Sequence, residues 1–168
     1  MPETIRPVPA EFGSLIVQLT VDDVDAAVRF YARAFGADEL FRNCRPDDPR
    51  VFHAELLIGS SRMMLHDEFL ERGLPAPAAL GGTPVTIHLY VADAEATFAD
   101  ALAAGAISIA EVAPRFWGVR SGVLRDPFGH RWVIATRVED LGPDEILERS
   151  AEVAANERLP VGKAGLHR

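Results

Sequence analysis

Imidazoles are the side chains here best suited to chemistry near neutral pH, and His66 and His88 both fall in strand-like segments. Alternation places them on the same kind of face as Gln18, Thr20 and Tyr90. A histidine titrates close to neutrality and so serves as general acid or base. It also ligates transition metals, but Gln18, His66 and His88 supply at most two imidazoles and an amide, a weak candidate set. Strand residues of this kind are more often the polar lining of a ligand cleft. His53 and Glu55 alternate on one strand face, as part of a polar network or as a partly exposed cross-strand pair. His130 sits in a turn, either solvated or at a dimer contact, and His167 belongs to the tail.

Phe116 and Trp117 precede Gly118 in a segment expected to be a loop before a strand. They form either an aromatic lip over the cleft or an anchor that holds the loop down. Arg115 and Arg120 offer charge to an anionic ligand group, and surface ion pairs are the competing fate. No Gly-x-Ser-x-Gly elbow, cysteine–histidine pair or phosphate-cradling glycine loop is present. The lone Cys44 forms no internal disulfide, which points to a reducing, cytoplasmic setting.

The chain has 168 residues and a net charge of −8, so nucleic acid is not an expected partner, since phosphate neutralisation needs a basic face. Its apolar runs are too short to span a bilayer, and the N-terminus lacks a charged-then-apolar signal pattern. Hydrophobic residues make up 48%, enough for a packed core in one domain or two small fused modules.

Two segments repeat one plan. Leu15, Val17, Leu19 and Val21 alternate with Ile16, Gln18 and Thr20; a helix capped by Asp22 or Asp23 follows and ends at Gly36. Val85, Ile87, Leu89 and Val91 alternate with Thr86, His88 and Tyr90, before a helix capped by Asp93 and ending near Gly105. Strand-like pieces follow each helix, at Val51–Ile58 and Met63–His66 in the first copy. In the second, a hairpin turns at Asp126-Pro-Phe-Gly129 between Gly122–Leu124 and Trp132–Thr136. The spacing predicts modules over 14–73 and 85–140, a Pro/Gly-rich linker over 74–84, a C-terminal helix over 141–158, and loose termini at 1–13 and 159–168. Helices over Asp23–Phe35 and Asp93–Ala104 are expected to cover the odd-numbered faces from the outside. The even-numbered faces then curve around one shared cleft, with Trp117 near its mouth.

Asp23-Val-Asp-Ala-Ala-Val-Arg-Phe-Tyr, Ala34-Phe-Gly-Ala37, His53-Ala-Glu-Leu, Gly81-Gly82, Phe116-Trp-Gly-Val-Arg, Asp126-Pro-Phe-Gly-His-Arg-Trp and Glu139-Asp-Leu stand in an order that resembles the vicinal oxygen chelate superfamily. That superfamily contains glyoxalases, bleomycin-resistance proteins and extradiol dioxygenases; the match is closest to its PhnB-like bacterial branch and covers about residues 14 to 150. The resemblance implies an α+β fold of tandem βαβββ modules in a cupped mixed β-sheet, and a homodimer. It also implies a divalent metal held from four strands in the metal-dependent members. Carried over position by position, those ligands fall on Ile16, Met64, Thr86 and Val133, none of which suits such an ion. Two residues further along the same strands stand Gln18, His66, His88 and Ala135.

The expected function is therefore a metal-independent, cofactor-free binder of small molecules that sequesters an antibiotic or metabolite. An acidic chain suits a cationic or polar ligand. The expected lining is Gln18, Thr20, Met64, His66, Thr86, His88, Tyr90, Trp117 and Arg120. The alternatives are a lyase, isomerase or cyclase acting on a carbonyl or vicinal-oxygen substrate through His66 and His88, or a metal enzyme with relocated ligands.

Overall fold

An aspartate in extended backbone opens each of the two helices of the repeat. The Asp23 carboxylate accepts from the Ala26 amide at 2.8 Å, starting α1 (Val24–Phe35). Asp93 accepts from the Ala96 amide at 2.9 Å, starting the helix Ala94–Ala103. Each bond satisfies an amide that has no partner inside the helix. Gly36, at φ +65°, ends α1 in the left-handed conformation that glycine adopts without a Cβ clash.

The computed structural model describes residues 7–156. The last two residues expected in the C-terminal helix, the tail at 159–168 with His167, and the first six residues lie outside the described residues. The first module comprises β1 (Gln18–Val21), α1, β2 (Asp38–Arg45), β3 (Asp48–Ile58) and β4 (Ser61–Asp67). A short helix, α2 (Pro77–Leu80), lies in the connection. The second module comprises β5 (Thr86–Tyr90), α3 (Ala94–Ala103), β6 (Ile107–Arg115), β7 (Val119–Arg125) and β8 (Arg131–Arg137), and α4 (Pro143–Asn156) follows it. The sheets run in matching orders, β1-β4-β3-β2 and β5-β8-β7-β6. In each, the first strand pairs in parallel with the last and the others are antiparallel. The fold is thus α+β with two mixed four-stranded sheets from tandem βαβββ units.

The expected arrangement of the modules needs correction. Rather than lying outside, α1 and α3 pack against each other, and one apolar core runs through both modules. Phe30, Tyr31 and Phe35 of α1 meet Phe128 and Trp132 of the second module, with Phe35 and Trp132 centroids 4.8 Å apart. These large rings are buried together at the joint, while the even-numbered strand faces mix polar and apolar residues, so the modules join through their helix-covered faces. Leu19 and Val21 are buried as alternation requires, but Leu15 lies ahead of β1 and is exposed, as is Val85.

A single carboxylate organises the joint. Asp126 is 2% exposed and accepts four bonds: Tyr31 hydroxyl (2.7 Å), Trp132 indole N–H (2.9 Å), and the amides of Phe128 (3.0 Å) and His130 (2.8 Å). Burial first, and then the Asp126 charge, hold the Tyr31 phenol well above its ordinary range. His130 is neither solvated nor at the surface: it is buried, and its Nε2–H donates to the Thr20 carbonyl at 3.0 Å. The hairpin turn of one module is therefore bonded to the first strand of the other.

Candidate functional site

His66 closes the floor of an open pocket on the first sheet. Register sets it opposite Thr20 across the parallel β1–β4 pair. Its Nδ1 lies 2.8 Å from the Asp67 carbonyl, which only accepts, so Nδ1 carries the proton. Nε2 then accepts from the Thr20 hydroxyl at 3.1 Å. The neighbouring Asp67 carboxylate is tied to the Val24 and Val51 amides at 2.8 and 2.6 Å, which fixes the end of β4 against α1 and β3.

The pocket wall comes from a break in the strand pairing. Along β3, Ala54, Leu56 and Ile58 face the core, and strict alternation would put Phe52 with them. Asn43 pairs with His53 but Cys44 with Val51, so Phe52 is an extra residue, a β-bulge that turns its ring to the pocket. The segment after β4 folds back on itself through Phe69 and Leu74, which exchange backbone bonds at 3.0 and 3.1 Å. It presents Phe69, Arg72 and Leu74 to the same space. Together with Gln18 and Thr20 these residues enclose about 410 Å³. The Phe52 and Phe69 centroids are 4.6 Å apart, and the His66 ring stacks on Phe69 at 6.2 Å.

Three guanidinium groups ring the two phenylalanines: Arg45 4.6 Å from the Phe52 centroid, Arg50 4.3 Å from Phe69, and Arg72 5.1 and 5.3 Å from the two. Arg50 is committed to Asp48 at 2.8 Å and Glu71 at 2.9 Å. Hydrogen bonds from Arg50 hold Asp48 down at about 2 and Glu71 below the usual carboxylate range. Among the described residues neither Arg45 nor Arg72 has a carboxylate within ion-pair distance, and no acidic side chain lines the pocket.

The structure brings Gln18, Thr20 and His66 together, and sets Tyr90 and Trp117 elsewhere. Those two line a separate hollow of about 480 Å³ on the second sheet, with Val119, Arg137, Glu139, Leu141 and Ile146. Trp117 is half exposed and packs edge-on against Phe116 at 4.8 Å. His88 is exposed and lines neither space, so it does not join His66 in one site. Met64 and Thr86 are half-buried strand residues outside both linings. Arg120 pairs with Glu95, and Arg115 bonds Ser121 within its own hairpin. His53 and Glu55 bond at 3.1 Å, and Arg62 joins Glu55 at 2.9 Å, a cross-strand network on the first sheet. Phe52, Phe69, Arg72 and Leu74 are the lining residues that sequence reasoning missed.

The residues present do not fit the divalent ion that the resemblance implies. Ile16, Met64, Thr86 and Val133 offer no imidazole or carboxylate. Both His66 nitrogens are engaged, and among the described residues no three His, Cys, Asp or Glu side chains cluster to hold a metal. None of the described helices is long and apolar enough to cross a membrane.

The family model described as the Glyoxalase/Bleomycin resistance protein/Dioxygenase superfamily matches residues 14–134. An uncharacterized protein of Mycobacterium tuberculosis is 43% identical over 136 residues, covering 79% of this chain and 79% of that one. The crystal structure of TioX from Micromonospora sp. ML1 is similar at 27% identity and a TM-score of 0.57, covering 77% of this chain and 100% of TioX. The X-ray structure of an Arabidopsis thaliana gene product is similar at 34% identity and a TM-score of 0.57, over 74% of this chain and 98% of its own.

Proposed function

The chain belongs to the glyoxalase/bleomycin resistance protein/dioxygenase superfamily, and on that footing we propose that it is a metal-independent small-molecule-binding protein that sequesters a metabolite or antibiotic. The observation that carries this reading is the first-sheet pocket itself. Its polar groups are an amide, a hydroxyl, a guanidinium and an imidazole with both nitrogens bonded. It holds aromatic surface for binding and no carboxylate for acid–base work or metal ligation. Native mass spectrometry of untagged protein from its host tests this: a co-purifying organic molecule, displaced by Phe52→Ala, supports sequestration. Protein that carries no such molecule and turns over a carbonyl substrate contradicts it.

The alternative is an enzyme in which His66 acts as the base, and the buried, single-tautomer imidazole favours it. His66→Gln abolishing turnover of an identified substrate, with binding retained, would select that reading. We further propose membership of the PhnB-like branch, which the motif order supports, and a cytoplasmic setting, with which the unpaired Cys44 agrees. We also propose a two-fold homodimer, because Tyr90, Trp117 and Leu147 leave large apolar side chains exposed on one chain.

A further inference from the structure

We propose that the first-sheet pocket selects a planar aromatic acid, its ring laid against Phe52 and Leu74 and its anionic group paired with Arg72 and the Gln18 amide. The inference rests on the binding reading above and names the ligand class. Shape and charge point the same way. The bulge brings Phe52 into the lining, and Phe69 and His66 continue the aromatic wall. A flat ring gains most from such a wall, through offset or edge-to-face contact. The volume of about 410 Å³ holds a molecule of one to three fused rings.

Charge then sets the sign. The chain as a whole carries −8, yet no acidic side chain lines this pocket. The two nearby carboxylates, Asp48 and Glu71, bond Arg50 and feel the Arg72 charge without pairing with it. Arg72 remains at the rim with no carboxylate within ion-pair distance among the described residues, its guanidinium about equally far from both phenylalanine rings. A guanidinium held over the two rings at the rim is preorganised to pair a carboxylate attached to a ring that meets the part of the wall it leaves open. An anionic ligand here departs from the cationic or polar one that overall composition suggests.

The test uses the full-length, untagged protein and three probes that share one ring system: 2-naphthoate, 2-naphthylmethanol and 2-naphthylmethylammonium. Each is titrated with NMR detection of the amides of Gln18, Thr20, Phe52 and Leu74. The proposal expects 2-naphthoate to shift these amides and bind more tightly than the alcohol, with the ammonium weakest. Arg72→Gln should lower 2-naphthoate affinity about tenfold, the loss of one charge-assisted contact, and lower the alcohol's by much less. Arg72 is exposed, so little stability should be lost, and the dispersion of the variant's amide spectrum checks that it folds. Equal binding of all three probes at these amides, or an unchanged affinity in Arg72→Gln, overturns the acid selectivity and leaves the binding pocket standing. Failure of every probe to shift these amides overturns the aromatic-acid proposal, and native mass spectrometry then decides the binding reading on its own.

Discussion

Asp126→Asn probes the joint between the modules in one atom. The amide oxygen can still accept from the Phe128 and His130 amides, which both bond Oδ1 in the wild type. The new NH2 group takes the place of Oδ2, where Tyr31 and Trp132 both donate. Tyr31 can rotate its hydroxyl to accept instead. The Trp132 indole only donates, so it is left buried and unpaired, at a cost of about 1–3 kcal/mol. Each remaining bond also changes from charge-assisted to neutral, for a total of about 3–5 kcal/mol. At roughly 2–4 °C per kcal/mol for a chain of this size, the thermal midpoint should fall by about 6–20 °C. Urea unfolding followed by tryptophan fluorescence measures the loss. Pairing the change with Trp132→Phe should give a double variant less destabilised than the sum of the singles, because the orphaned donor is gone. A loss below about 1 kcal/mol, or strict additivity, would refute Asp126 as the hub of the joint.

Further outcomes follow from the same packing. The Tyr31 phenol titrates higher folded than unfolded, so the unfolded chain releases its proton first as pH rises. Its stability contribution is present below about pH 10 and is lost above it, at about 1.4 kcal/mol per pH unit; Tyr31→Phe, compared by urea unfolding from pH 9 to 11, should lose that alkaline slope. Gly129 has φ +92°, and a Cβ there would lie 2.8 Å from Pro77 Cβ. Gly129→Ala should therefore cost about 2–4 kcal/mol by chemical denaturation, and a neutral result would mean that the turn and α2 do not pack as described. Sedimentation at micromolar concentration should give a dimer; a monomer would remove the proposed two-fold pairing.

The caps, the hairpin turn and the doubled plan were legible in the sequence because each depends on residues a few positions apart: Asp23 with Ala26, Asp93 with Ala96, Asp126 with Gly129. β2 was not, because Asp38–Arg45 is an edge strand whose exposed, charged residues show no apolar alternation. The joint was hidden for a different reason. Tyr31–Asp126 and His130–Thr20 link positions about a hundred residues apart, and nothing local to a histidine in a turn announces a partner on the first strand. At the site, alternation sets Gln18 and Thr20 on the face that lines the pocket. The same rule sends Phe52 into the core, since a bulge shifts parity without changing composition. Phe69, Arg72 and Leu74 lie in a turn after the last strand, where no periodicity applies. Reading the even faces of both modules into one cleft failed at the level of packing, because the α1 aromatics claimed the space between the sheets.

Metal content separates the function classes most directly. Untagged protein purified from its host should contain well below one equivalent of Fe, Ni, Mn or Zn per chain by elemental analysis. Chelator should leave both 2-naphthoate binding and the thermal midpoint unchanged, since an ion that binds only the folded state would raise that midpoint by linkage. One tightly held transition-metal ion per chain, lost in His66→Ala together with binding, would contradict the account and make the first-sheet pocket a metal centre.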